Sequence, residues 1–201
     1  NKDFGDAITL AESMGSTIYE EPMFLDALKV CYYYLGDISK SKEIGQISLR
    51  AKDKDACNRI VDTGDIIRYS GAKNVISYSL WGNTESYQIG AMVNSVLARY
   101  IYPGWICRYY VSGEIKKEVL DFLAKAGCEV INMDNSWIPG YFWRFLVLSD
   151  PSVNMFICRD CDCRLGADEY LLVREWHDSG KLFHVIRDHI LHNDLILAGL
   201  W

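Results

Sequence analysis

From Lys73 onward, short β-rich runs alternate with segments of helical periodicity. "NVISYSL", "WICRYYV", "CEVINM", "VNMFICR" and "LFHVIRD" are dense in β-branched and aromatic residues and read as strands. "TESYQIGAMVNSVLARYI", "IKKEVLDFLAKAG", "YFWRFLVLS" and "ADEYLLVREWHDSG" lie between them and read as helices. Thr84 is a candidate N-cap, and Gly127 a candidate helix stop. This alternation leaves few architectures. It predicts an α/β domain with a mostly parallel sheet and helices on both faces. Ligands of such sheets bind beyond the carboxyl ends of the strands.

The first part of the chain follows a different rule. Ala7, Leu10, Ala11 and Met14 recur at helical spacing, as do Phe24, Leu25, Leu28, Cys31, Tyr32 and Leu35. "ISKSKEIGQISLRAK" predicts a third helix. "FGD" at Phe4–Asp6 and "LGD" at Leu35–Asp37 each read as a turn before a helix, a weak internal repeat. Residues 58–72, with Asp62, Gly64, Ser70 and Gly71, read as a connector. The expected organisation is a helical hairpin segment over 1–57, the connector over 58–72, and the α/β domain over 73–201.

Composition narrows the function. The formal net charge of -6 argues against a nucleic-acid binder, which would carry a basic stripe. No apolar run approaches the roughly 18 residues of a membrane span. The seven cysteines show no spacing of a small disulfide scaffold and read as reduced thiols of a cytoplasmic protein.

Chemistry concentrates in "FICRDCDCRL", Phe156 to Leu165. If the strand continues through it, Asp160 and Asp162 share a face, with Cα atoms about 6.5–7 Å apart. Cys161 and Cys163 then point the other way, into packing. Two carboxylates at a strand end suit a hard cation, Mg2+ or Mn2+, that also takes water and phosphate oxygens. Arg159 and Arg164 flank them and suit phosphate contact. Zinc is the rival, with Cys158, Cys161 and Cys163 and a histidine from His184, His189 or His192. It requires a sharp turn in the segment, and paired C-x2-C knuckles are absent.

These segments together resemble the DXD glycosyltransferases of GT-A fold. The similarity rests on "NVISYSLWGNTESYQIGAMVNSVLARYIYPGWICRYYV", "GYFWRFLVLSD", "FICRDCDCRL" and "FHVIRDHILHNDLILAGLW", in that order. It covers Lys73 to Trp201. "Y-x-x-L-G-D" before the third helix resembles a tetratricopeptide repeat. The resemblance implies transfer of a sugar from a nucleoside diphosphate sugar to a hydroxyl acceptor such as a cell-surface glycan. It implies Mn2+ or Mg2+ on Asp160 and Asp162. It implies nucleotide-sugar contacts from Ser79, Leu80, Trp81, Arg144, Arg159 and Arg187, with Trp81 offering a stacking face. Asp188 and His189 are the candidate catalytic pair, one of them accepting the acceptor's proton. Enzymes of this class continue beyond "AGLW", so the domain is expected to be C-terminally incomplete. The alternative is a non-catalytic module that binds a nucleotide sugar and recruits a protein through its N-terminal helices.

Overall fold

The computed structural model describes residues 2–58, 71–197 and 199. Most of the expected connector, including Asp62, Gly64 and Ser70, lies outside the described residues, as do Ala198, Leu200 and Trp201 of "AGLW". The chain forms two compact units. One holds the N-terminal helices together with 185–197. The other is an α/β unit that runs to His184 and takes in Gly199.

In the helical unit, α1 (Lys2–Ser13), a 3-10 helix (Gly15–Glu20), α2 (Pro22–Tyr34) and α3 (Ile38–Asn58) bury Leu25, Leu28, Ile18 and Ile44. Pro22 begins α2, where its missing N–H costs nothing. Gly36 adopts φ 86° between α2 and α3, and Asp37 Oδ1 accepts the Lys40 N–H at 2.9 Å. The two expected turns are therefore not equivalent. "LGD" is the α2–α3 turn, whereas Gly5 lies inside α1. With no breaker conformation imposed at Gly5, α1 runs through "FGD".

The α/β unit contains β1 (Lys73–Leu80), α4 (Glu85–Ile101), β2 (Trp105–Val111), α5 (Lys117–Lys125), β3 (Glu129–Asn132), a 3-10 helix (Gly140–Ser149), β4 (Val153–Arg159) and α6 (Ala167–Ser179). The four strands are all parallel, in the order β3-β2-β1-β4. This is a Rossmann-like α/β arrangement. The fifth expected strand, "LFHVIRD", is not formed. Its stretch has no strand among the described residues, and from Val185 the chain groups with the helical unit. The segment "YFWRFLVLS" winds as a 3-10 helix.

Alternation along β1 separates two cores. Ile76, Tyr78 and Leu80 pack with Ala91 and Ala98 of α4, Val119 and Leu123 of α5, and Val173 of α6. Val75 packs on the other face with Val147 and Cys158. Ser77 and Ser79 share that second face, and their hydroxyls are used there rather than buried bare.

The amino-terminal edge of the sheet is closed by charge. Buried Arg108 pairs with Glu129 at 2.5 Å and Asp150 at 2.7 Å, and Lys73 pairs with Glu129 at 2.6 Å. Burial raises the Glu129 pKa, but hydrogen bonds and charge from Lys73 and Arg108 more than offset it, so it lies below its ordinary 4.5. Hydrogen bonds from Ser152, then Arg108, take Asp150 from 3.8 down to about 2. Both carboxylates are depressed on folding. Their contribution is complete above their ordinary values and is lost as pH falls through the folded ones. Urea midpoints measured across acid pH are expected to fall from just above pH 4 toward pH 2. In Arg108→Met the fall is shallower, because the pKa differences shrink. An unchanged slope in that variant removes the network as the cause.

Candidate functional site

The strand order reverses between β1 and β4. β2 and β3 extend the sheet to one side of β1, and β4 adds to the other. Such a switch point opens a crevice at the carboxyl ends of its strands. β1 delivers Ser79, Leu80 and Trp81 there, and β4 delivers Arg159 and Asp160.

The strand does not continue through the motif. β4 ends at Arg159, and Asp160 to Cys163 form a turn closed by Cys163 N–H donating to Asp160 O at 3.2 Å. The alternation argument for Asp160 and Asp162 therefore fails, although both still belong to one tight turn. Asp160 is half-buried and Asp162 is exposed. Cys163, expected in packing, is exposed as well. Cys161 is fully buried with its thiol 3.4 Å from Ser79 O, and Cys158 lies buried on the opposite face against Arg144 O. The turn a zinc site needs is present, but the three thiols diverge from it.

Two residues of α4 hold the turn in place. The Asn94 amide donates to Cys161 O at 3.2 Å and Cys163 O at 2.8 Å, and its oxygen accepts Leu165 N–H at 3.2 Å. One fully buried side chain thus satisfies three backbone groups of an irregular loop. Gly90, one turn earlier, lies directly under the Cys161 carbonyl, and a Cβ there would overlap it. Gly90→Ala is expected to push the turn off α4. Asn94→Ala leaves the buried Leu165 N–H unpaired, at about 1–3 kcal/mol. Chemical denaturation measures both. An Asn94→Ala chain as stable as wild type shows that the turn stands without its anchor. Sequence reading passed over both residues. The available signal was a glycine and an asparagine inside an otherwise apolar helix, each poor for helix propensity.

Arg144 connects β1 to the motif. Its backbone is pinned twice: Ser79 Oγ accepts its N–H at 2.9 Å, and Ser77 Oγ donates to its carbonyl at 2.7 Å. Its buried guanidinium donates to Arg159 O at 3.0 Å and forms an ion pair with Asp160. Arg159 turns to the other face, where it pairs with Glu169 of α6 and donates to Gly199 O at 2.5 Å. Tyr102 OH donates to the second Glu169 oxygen at 2.8 Å. Gly199 also lies against the Asp160 carboxylate.

Two aromatic residues complete the rim. Trp81 is 47% exposed, and the Gly140 backbone lies against its ring. Leu80 contributes no side chain here, because it is fully buried in the larger core. Tyr87, near the start of α4, was not anticipated. Burial raises its hydroxyl pKa, and the charges of Asp162 and Asp160 push it further in the same direction.

Arg187, Asp188 and His189 belong to the helical unit. Arg187 donates to the carbonyls of Asp194 and Leu195 at 3.0 Å, folding its own segment back. Asp188 bonds His192 at 2.7 Å, and His189 packs edge-on against Tyr33. Lys29 and Lys52 secure the segment through Leu191 O at 3.2 Å and Asp194 at 2.6 Å. The site residues that gather at the switch point are thus Ser79, Trp81, Arg144, Asp160 and Asp162, whereas the Arg159 side chain, expected at the nucleotide sugar, is committed to Glu169.

Among the described residues, no three His, Cys, Asp or Glu side chains converge as a metal-binding group. The oxygen donors of Asp160 and Asp162 nevertheless fit Mg2+ or Mn2+, which use one or two carboxylates and take their remaining ligands from water and substrate phosphate. No helix of the described residues is long and apolar enough to cross a membrane. No family model, curated protein or solved structure matches the chain.

Proposed function

We propose that the α/β unit binds a nucleoside diphosphate sugar at the β1–β4 switch point and transfers its sugar to a hydroxyl acceptor, as a metal-dependent glycosyltransferase of GT-A type. The observation that carries this reading is the Asp160–Cys163 turn. It presents an exposed and a half-buried carboxylate at the carboxyl edge of a parallel sheet, beside the end of β1.

In this reading each residue has a limited task. Asp160 and Asp162 would hold Mn2+ or Mg2+, which supplies charge neutralisation for the departing diphosphate. Arg144 fixes the Asp160 carboxylate and adds positive charge near the phosphates. Trp81 gives the base a flat apolar surface, and Ser79 keeps Arg144 in register. The acceptor hydroxyl adds to the anomeric carbon, the bond to the diphosphate oxygen breaks, and the proton passes to a base. Asp188 and His189, the pair expected from the sequence, belong to the helical unit and are not assigned that role.

The test is release of nucleoside diphosphate from a panel of sugar nucleotides with and without Mn2+, paired with thermal shifts in UDP or GDP. Metal-dependent release that disappears in the Asp160→Ala/Asp162→Ala double variant supports transfer or donor hydrolysis. A metal-dependent thermal shift without release points to a binding module. Neither effect with any nucleotide overturns the proposal.

A further inference from the structure

Cys107 and Cys128 lie outside the candidate site, on neighbouring parallel strands. The register pairs Arg108 with Glu129, so the residues just before them, Cys107 on β2 and Cys128 at the entrance to β3, stand side by side. Neighbouring strands are about 4.8 Å apart, within the Cα range that a disulfide spans. The same register puts the two side chains on one face of the sheet. We propose that Cys107 and Cys128 are a reversible dithiol–disulfide couple, with Cys128 the thiol that meets the oxidant and Cys107 the one that resolves it.

The surroundings divide those roles. Cys107 is buried in the main core, whereas Cys128 is half-buried directly after α5. Cys128 N–H donates to Leu123 O at 3.1 Å, which fixes its backbone. Arg99 of α4 donates to Ala126 O at 2.7 Å, bringing a guanidinium to the same corner. The hydrogen bond from Cys107 lowers the Cys128 pKa against the opposing effect of burial, and Arg99 and Ser95 add to the lowering. The same contact and burial raise that of Cys107. A thiolate is the reactive form, so attack begins at Cys128.

Hydrogen peroxide is the oxidant. The Cys128 thiolate takes one peroxide oxygen, the O–O bond breaks, and the product is a sulfenic acid with hydroxide that protonates to water. Cys107 sulfur then attacks Cys128 sulfur, loses its proton, and expels the sulfenic oxygen as a second water. Cys128 is half-buried, so a reductant can reach the bridge from that side. The bond would tie the short edge strand β3 covalently to β2.

The full chain is treated with hydrogen peroxide under native conditions, alkylated, and mapped by mass spectrometry. The expected main product is a peptide joining Cys107 to Cys128 that dithiothreitol reverses. In Cys107→Ala the linked peptide is lost and dimedone traps Cys128 as its sulfenic acid. The wild-type map decides alone if that variant misfolds. The proposal is overturned if Cys128 stays alkylatable while exposed Cys57 oxidises, or if Cys128 pairs mainly with another cysteine.

Discussion

Asp160→Asn is expected to abolish the proposed metal dependence of nucleotide binding and to lower the proposed donor turnover by about a hundredfold or more. The size follows from the chemistry proposed for the turn. A neutral amide is a poor ligand for a hard cation, and a metal-bridged diphosphate loses its principal anchor. Asp160 also compensates the buried Arg144 guanidinium, so this variant is expected to lose stability as well. Asp162 separates the two effects. Its carboxylate is exposed, and its backbone carbonyl, which the substitution keeps, accepts from Arg164 at 3.1 Å. Asp162→Asn therefore loses metal-dependent binding with its melting temperature unchanged. Isothermal titration with Mn2+ and a nucleoside diphosphate, beside thermal unfolding, reads both. Wild-type metal dependence in both single variants removes the carboxylates from the site.

Glu169→Ala has the largest expected effect on stability, about 3–5 kcal/mol. Glu169 and Arg159 are 11% and 6% exposed, and their ion pair joins α6 to the end of β4. Truncating the acid leaves the guanidinium buried without its counter-charge, and Tyr102 loses the acceptor for its hydroxyl. Because the loss comes from an orphaned charge, removing both charges should be milder. Arg159→Met/Glu169→Leu is expected to recover much of the lost stability in urea unfolding. A double variant as unstable as Glu169→Ala rejects this account. Arg159 also sits next to Asp160, so a loosened β4 end should weaken nucleotide binding in the single variant more than in the double.

The four strands and the main α4, α5 and α6 helices were legible because each carries a continuous pattern, and a parallel sheet buries both faces of its strands. The motif turn was not. Alternation was extended from Phe156–Arg159 into Asp160–Cys163, with no glycine or proline to warn of the end. The turn is held instead by Asn94 and admitted by Gly90, both distant in sequence. "LFHVIRD" failed for a related reason. Its composition favours a strand, but Arg187 folds the chain back onto Asp194, and Lys29 and Lys52 secure the result to helices. Local propensity yields where tertiary contacts decide. Ser79 was expected to contact the nucleotide sugar and Ser77 was given no role, yet both serines of "NVISYSL" hold the buried backbone of Arg144.

Those serines have a consequence for engineering. They grip the main chain at position 144, while the guanidinium is held separately by Arg159 O and Asp160. A side chain that keeps a positive charge beside Asp160 can therefore be exchanged there without disturbing the serine cradle. A lysine or an unnatural cation placed there would arrive on the same backbone perch, making 144 the natural place to tune how the crevice treats a negatively charged guest.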